Sequence, residues 1–258
     1  MAICVGASQI SLDGRRICSC YAISDICVAP SRKRSGMEIK MPVERLRQLF
    51  NMTPEVLYGY TDISYSSFSK VYRSALVFAV PYGEQLTLEQ YTEERFENGI
   101  CSARGKLEQI LEKIEYVLKE ENIKYYVPPV AQENEEELKA PFSFKYAAVN
   151  AGLGWIGKND VLITEKYGPR VRLSAVLMDI EVEQNIGIVE SRCPADCTRC
   201  IDICPHKALT GNVWNINAKR TDLIDYHLCN RKRSEYIKSH GRKNACGLCM
   251  AVCPVGVK

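Results

Sequence analysis

Of the thirteen cysteines in the chain, eight fall between residues 193 and 253. They read Cys193-x3-Cys197-x2-Cys200-x3-Cys204-Pro205, then Cys229, then Cys246-x2-Cys249-x3-Cys253-Pro254. A cubane of iron and sulfide needs four thiolates converging on its corners, and two-residue loops let consecutive cysteines wrap it. In two-cluster ferredoxins the cysteine before proline ligates the other cluster. The same exchange here assigns Cys193, Cys197, Cys200 and Cys253 to one 4Fe-4S cluster, and Cys204, Cys229, Cys246 and Cys249 to a second. Cys193 departs from the bacterial run, which has x2 where this chain has x3. Two Cys4 zinc sites are the competing reading of the same spacings. Zinc ribbons, however, need neither the paired Cys-x3-Cys-Pro endings nor the apolar Ile201, Ile203, Ala208, Val252 and Val255 that can shield a cluster.

Two adjacent clusters imply one-electron relay from a low-potential donor such as ferredoxin or flavodoxin. Between 231 and 243 the chain places Arg231, Lys232, Arg233, Lys238, Arg242 and Lys243 against Glu235. That stretch reads either as a solvated face that docks an acidic donor or as a patch for RNA phosphates.

A second motif, Gly152-Leu153-Gly154-Trp155-Ile156-Gly157-Lys158-Asn159, resembles two phosphate-binding patterns by letter. A dinucleotide fingerprint needs a strand before its first glycine and a helix after it, and here the order is reversed. A P-loop needs Ser or Thr after its lysine, and this chain has Asn159. Two readings stay open: a loop whose backbone approaches a flat or bulky ligand beside Trp155, or a tight helix-to-strand turn with Trp155 in the core.

The elements that must position these motifs follow from periodicity. Val43 to Phe50 and a segment with Leu107, Ile110, Leu111, Ile114, Val117 and Leu118 carry helical spacing. Ser74 to Val80, Ile123 to Val127, Val161 to Thr164 and Val171 to Met178 read as strands, and Ser143 to Ala151 as a short helix. The acidic run Glu133-Asn134-Glu135-Glu136-Glu137 reads as a solvated loop. Residues 1–36 lack periodicity and are expected to be poorly ordered, upstream of a start at Met37 or Met41. The domains expected are thus 1–36, an α/β unit over 37–187 and a ferredoxin-like double-cluster unit over 188–258. Lys and Arg total 34 against 31 Asp and Glu, and 46% of residues are apolar. This balance excludes a disordered chain and gives no support to nucleic-acid binding by the whole surface. No apolar run is long enough for a membrane helix and no secretory signal is evident, so a cytoplasmic protein with reduced thiols is expected.

Asn150 to Asn159, Tyr167-Gly168, Arg172 to Leu177 and the two cysteine motifs together resemble the epoxyqueuosine reductase family, over roughly Ser74 to Pro254. The resemblance implies a nitroreductase-like α/β (α+β) domain that binds cobalamin, beside a ferredoxin-like domain with two 4Fe-4S clusters. It implies an oxidoreductase that removes an epoxide oxygen from a modified tRNA base, the last step of queuosine biosynthesis. Cobalamin contacts would fall on Gly152, Leu153, Gly154, Trp155, Ile156, Gly157, Lys158, Asn159, Arg172 and Ser174. His206, His227 and His240 all lie in the cluster domain, which agrees with an unligated lower cobalt face. The family's acidic residue, in an Asp-x2-Pro motif, aligns with Leu138 and Pro141, or with the strand end at Pro128. Neither supplies a carboxylate, and Glu133, Glu135, Glu136 or Glu137 would have to fold inward. The catalytic acid is thus not identified, and the sequence stops four residues after Pro254, short of a helical extension that helps many members hold tRNA. The alternatives to an enzyme are a ferredoxin-like electron-transfer protein serving a partner, and a tRNA-binding protein that keeps clusters for stability.

Overall fold

The computed structural model describes residues 36–129, 138, 140–240 and 246–257. The 1–35 segment, the 133–137 acidic run, Arg242 and Lys243, and the Arg233 and Lys238 side chains lie outside the described residues.

Two paired strands make the centre of the molecule. β2 (Ser74–Pro81) is buried along its whole length and pairs antiparallel with β6 (Val171–Met178), from Ser74 opposite Met178 to Pro81 opposite Val171. A strand covered on both faces reads as an unbroken hydrophobic run, which makes residues 75–80 visible in the sequence, whereas β6 carries Arg172 and Ser174 before its apolar end at 175–178. β1 (Leu57–Asp62) and β3 (Tyr125–Tyr126) flank them, giving an antiparallel sheet in the order β1-β2-β6-β3. The expected Ile123 to Val127 strand shrinks to two residues. Ile123 N–H is taken by Leu118 at the end of a helix, and Pro128-Pro129 has no N–H to offer a ladder.

Alternation along the strands separates two cores. Leu76, Phe78, Val80, Val176 and Met178 face α1 (Gly36–Asn51) and α2 (Glu93–Glu120). Thr92 caps α2 by accepting from Arg95 N–H at 3.2 Å, and Glu93 and Glu94 sit in its first turn, where the helix dipole favours them. On the other side, Ala75, Val77, Ala79, Ala175 and Leu177 face α3 (Phe144–Asn150) and the hairpin of β4 (Trp155–Ile156) and β5 (Leu162–Ile163). The result is a mixed α/β fold around an antiparallel sheet.

The cysteine-rich end is built from short helices: α4 (Arg199–Asp202), α5 (Arg220–Leu223), α6 (Tyr226–His240) and α7 (Leu248–Ala251). Its own apolar centre is small, with Cys204, Ala208, Leu209 and Ile224 buried together. It leans on the α/β part instead: Met250 packs against the α2 core, and Cys193, Cys253 and Val255 against the α3 core. Among the described residues no helix is long and apolar enough to cross a membrane.

Candidate functional site

Each Cys-x2-Cys-x3-Cys run folds around one helical turn, α4 for Cys200 and α7 for Cys249. The residues that close the two turns, Ile203 and Val252, share the same backbone angles, φ −75° and ψ −16°. The cysteine one residue further on, Cys204 or Cys253, is thereby carried away from its own run. Cys193, Cys197, Cys200 and Cys253 line one small cavity. Burial pushes the Cys200 thiol up to about 11, and its thiol neighbours Cys193, Cys197 and Cys253 push the same way. Cys249 is raised chiefly by burial, and its thiol neighbours are Cys246, Cys229, Cys200 and Cys204. The structure thus brings the eight cysteines into two groups of four that meet where Cys200 borders Cys249. Among the described residues no three Cys, His, Asp or Glu groups stand close enough to hold a single ion. Four thiolates grouped around a cavity are a donor set chemically suited to a Cys-ligated cubane.

Two buried cations from the α/β part hold the loops of the first group. Lys158, 3% exposed, donates to the carbonyls of Pro194, Ala195 and Cys197 at 3.0, 2.9 and 3.0 Å. Arg170, 1% exposed, donates from Nε to Leu86 O at 2.9 Å and from Nη1 to Val255 O at 3.0 Å. Its Nη2 reaches Ala251 O at 3.1 Å and Cys253 O at 2.7 Å. Asn159 completes the set, donating to Cys249 O at 3.1 Å. Arg170 was invisible to motif reading because its partners are backbone carbonyls more than eighty positions away.

The glycine loop therefore has two ends with different duties. Its start lines a cavity of about 520 Å³ together with Val56, Leu57, Ile188 and the charged Glu165, Lys166 and Arg192. Gly152, Leu153 and Gly154 reach this cavity, whereas Lys158 and Asn159 turn to the cysteines. Trp155 and Ile156 are buried in the α3 core. The guanidinium of Arg192 lies over the Trp155 ring at 5.6 Å, and Trp155 Nε1 is buried without a hydrogen-bond partner. Arg192 also pairs with Glu165, so the wall of the cavity runs directly into Cys193.

The missing side chains at Gly154 and Gly157 answer to the protein itself. A Cβ on Gly154 would stand 2.1 Å from Ile163 O, and one on Gly157 2.3 Å from Ile163 Cδ1. Close approach of β4 and β5 thus accounts for both without a ligand. Arg172 and Ser174 are not beside the loop either: they share the α2 face of β6 with Val176 and Met178, across the sheet from Trp155. The expectation that they line the same ligand as the loop is corrected accordingly. Alternation along a strand puts these even-numbered positions on one face and the loop on the other.

Leu138, where the family's carboxylate aligns, is buried, with φ +51°, and its carbonyl accepts from Arg220 at 3.1 Å. The nearby carboxylate is Asp160, 6% exposed, paired with Lys145 at 2.7 Å and with Arg220 at 3.1 Å. Burial lowers the Lys145 pKa, against the pull of Asp160. This cluster ties α3 and the glycine loop to α5.

Residues 192–256 match the model of the 4Fe-4S double cluster binding domain. Over 114 residues the chain is 35% identical to the epoxyqueuosine reductase of Lactococcus garvieae, covering 42% of this chain and 30% of that protein. Among solved structures, an epoxyqueuosine reductase with a modified tRNA-Tyr stem loop superposes with a TM-score of 0.55 at 17% identity, covering 85% of this chain and 65% of that one. A reductive dehalogenase, studied for B12-dependent dehalogenation, superposes with a TM-score of 0.55 at 14% identity, covering 83% and 31%. At such identities the structural matches speak for the fold alone, and the chain spans about a third of the curated relatives' length. The cysteine-rich end is a 4Fe-4S double-cluster domain, which decides against zinc ribbons. Over the matched stretches the chain is similar to epoxyqueuosine reductases and, at 32% identity over 145 residues, to the tetrachloroethene reductive dehalogenase of Dehalobacter restrictus, all of them oxidoreductases.

Proposed function

We propose that this protein is an iron-sulfur oxidoreductase. Electrons from a low-potential donor such as ferredoxin or flavodoxin enter at the cluster of Cys204, Cys229, Cys246 and Cys249. They pass to the cluster of Cys193, Cys197, Cys200 and Cys253, and leave toward a ligand in the cavity at Leu153. The single observation that carries the reading is the junction of Arg192 and Cys193, where the cavity wall and the first cysteine group are consecutive in the chain.

The ligand proposed is a corrinoid. Val56, Leu57, Leu153 and Ile188 would meet the face of its flat ring, and Lys166 and Arg192 its polar rim, while Gly152 and Gly154 present backbone. The fit covers this one wall, since Arg172 and Ser174 stand elsewhere. A corrinoid bound there supplies a metal centre that takes up electrons singly and is nucleophilic when reduced. The protein's own part is to hold that ring next to Cys193 and to fix the cluster loops through Lys158, Asn159 and Arg170. The substrate proposed is epoxyqueuosine in tRNA or a related electrophile that accepts two electrons. Exposed Arg231 and Lys232 on α6, just past Cys229, would dock an acidic donor or RNA.

A carrier that serves a partner protein is the second reading, favoured by the leucine at the family's carboxylate position. Anaerobically reconstituted protein mixed with cobalamin separates the two by absorption. The enzyme reading predicts uptake and reduction of cobalamin by the reduced clusters, lost in Leu153→Arg with iron content unchanged. Absence of uptake by the iron-replete wild type would leave the carrier.

A further inference from the structure

Lys158 and Arg170 present an electrostatic puzzle. Both are almost completely buried, and neither makes an ion pair with a carboxylate among the described residues. Every bond they form goes to a backbone carbonyl. Carbonyl dipoles satisfy the N–H groups but leave the net charge uncancelled, and an uncompensated buried charge is expensive in a low-dielectric interior. The neighbouring Asp160 cannot help, because Lys145 and Arg220 already claim it. The cavity between the first four cysteines is lined by Lys158 and Arg199 and by no carboxylate. Lys158 faces that cavity directly, and Arg170 reaches its wall through the carbonyl of Cys253, so among the described residues the cysteines are the nearest source of counter-charge for both. A cubane held by four thiolates is a negative body, and each electron added makes it more so.

We infer that Lys158 and Arg170 are the charge partners of the cluster held by Cys193, Cys197, Cys200 and Cys253, raising its reduction potential above that of its neighbour. The inference rests on the double-cluster reading of the cysteines. The two act as positioning residues as well, Lys158 on the Pro194–Cys197 loop and Arg170 on the Ala251–Val255 loop. One cation on each loop brings the two halves of a ligand set, separated by more than fifty residues of chain, onto one centre. Electrons would then run downhill from the cluster of Cys204, Cys229, Cys246 and Cys249 toward the cavity.

The test is a redox titration of anaerobically reconstituted full-length protein, followed by electron paramagnetic resonance, for wild type, Lys158→Gln and Arg170→Gln. Losing a cation disfavours the more negative reduced state. Each variant should therefore show one of the two potentials lowered by at least tenfold in the reduction equilibrium, about 59 mV for one electron, with the other moving less. Iron-replete variants whose two potentials are unchanged, or shift equally, overturn the inference. If a glutamine variant instead drops to iron for one cubane, Lys158→Arg and Arg170→Lys decide. Recovery of both cubanes by the charged replacement upholds the role of charge, and failure to recover overturns it. Wild type lacking iron and sulfide would show that the underlying cluster reading, and not this refinement of it, is at fault.

Discussion

Asp160 shows how much of this molecule rests on single charged side chains in loops. It is buried between Lys145 on α3 and Arg220 on α5, and Arg220 in turn lies over the Tyr226 ring at 4.3 Å. Removing the carboxylate charge leaves two cations facing a neutral amide. Because Lys145 and Arg220 keep 30% and 42% of their side chains exposed, the loss is smaller than for a fully buried pair. Asp160→Asn is expected to lower stability by about 2–3 kcal/mol, read as a fall in the urea midpoint of the reconstituted protein, and an unchanged midpoint would show that Asp160 carries no such load. None of this was legible in the sequence. Lys158 and Asn159 attracted notice as the tail of a glycine loop and Asp160 did not, and the partners of all three lie in other parts of the chain that no spacing encodes. The cysteines were legible because ligation of one compact body forces short, repeated intervals.

At the scale of elements, the long apolar strands β2 and β6 and the amphipathic helix α2 could be read from periodicity, since each buries a continuous face. β1 could not, because Leu57-Tyr58-Gly59-Tyr60 has neither an apolar run nor clean alternation. β4 is only two residues and depends on its hairpin partner. The glycines are a warning of the same kind: Gly154 is small because Ile163 O lies where its side chain would be, so a bulky residue there would break the hairpin before it tested any ligand. Gly247 is more informative. A Cβ at this position would stand 1.9 Å from Phe96 Cζ, on the α2 helix, and Cys246 and Cys249 flank it. Gly247→Ala should lower the thermal midpoint of the reconstituted protein, by about 1–3 kcal/mol of overpacking, and reduce its iron content. Phe96→Leu in the same chain should recover part of both. Wild-type iron content and midpoint in the single variant would mean that α2 does not support the second cysteine group.

The whole molecule is an α/β body whose charged and polar side chains reach into a small cysteine-rich lobe that has little apolar core of its own. Such a lobe gains its order from metal ligation and from the neighbour it leans on, as small metal-binding domains do. The cavity at Leu153, the first cysteine group, the second group and the basic start of α6 follow one another in the fold, which is the order an electron would need to travel in reverse. That order depends on two cubanes, and one measurement decides their presence. Protein reconstituted and isolated without oxygen should contain iron and acid-labile sulfide sufficient for two cubanes per chain, with a broad visible absorption that bleaches on reduction and a spin-coupled resonance from two adjacent clusters. Colourless protein with zinc in place of iron and sulfide, or iron for a single cluster, would contradict the account.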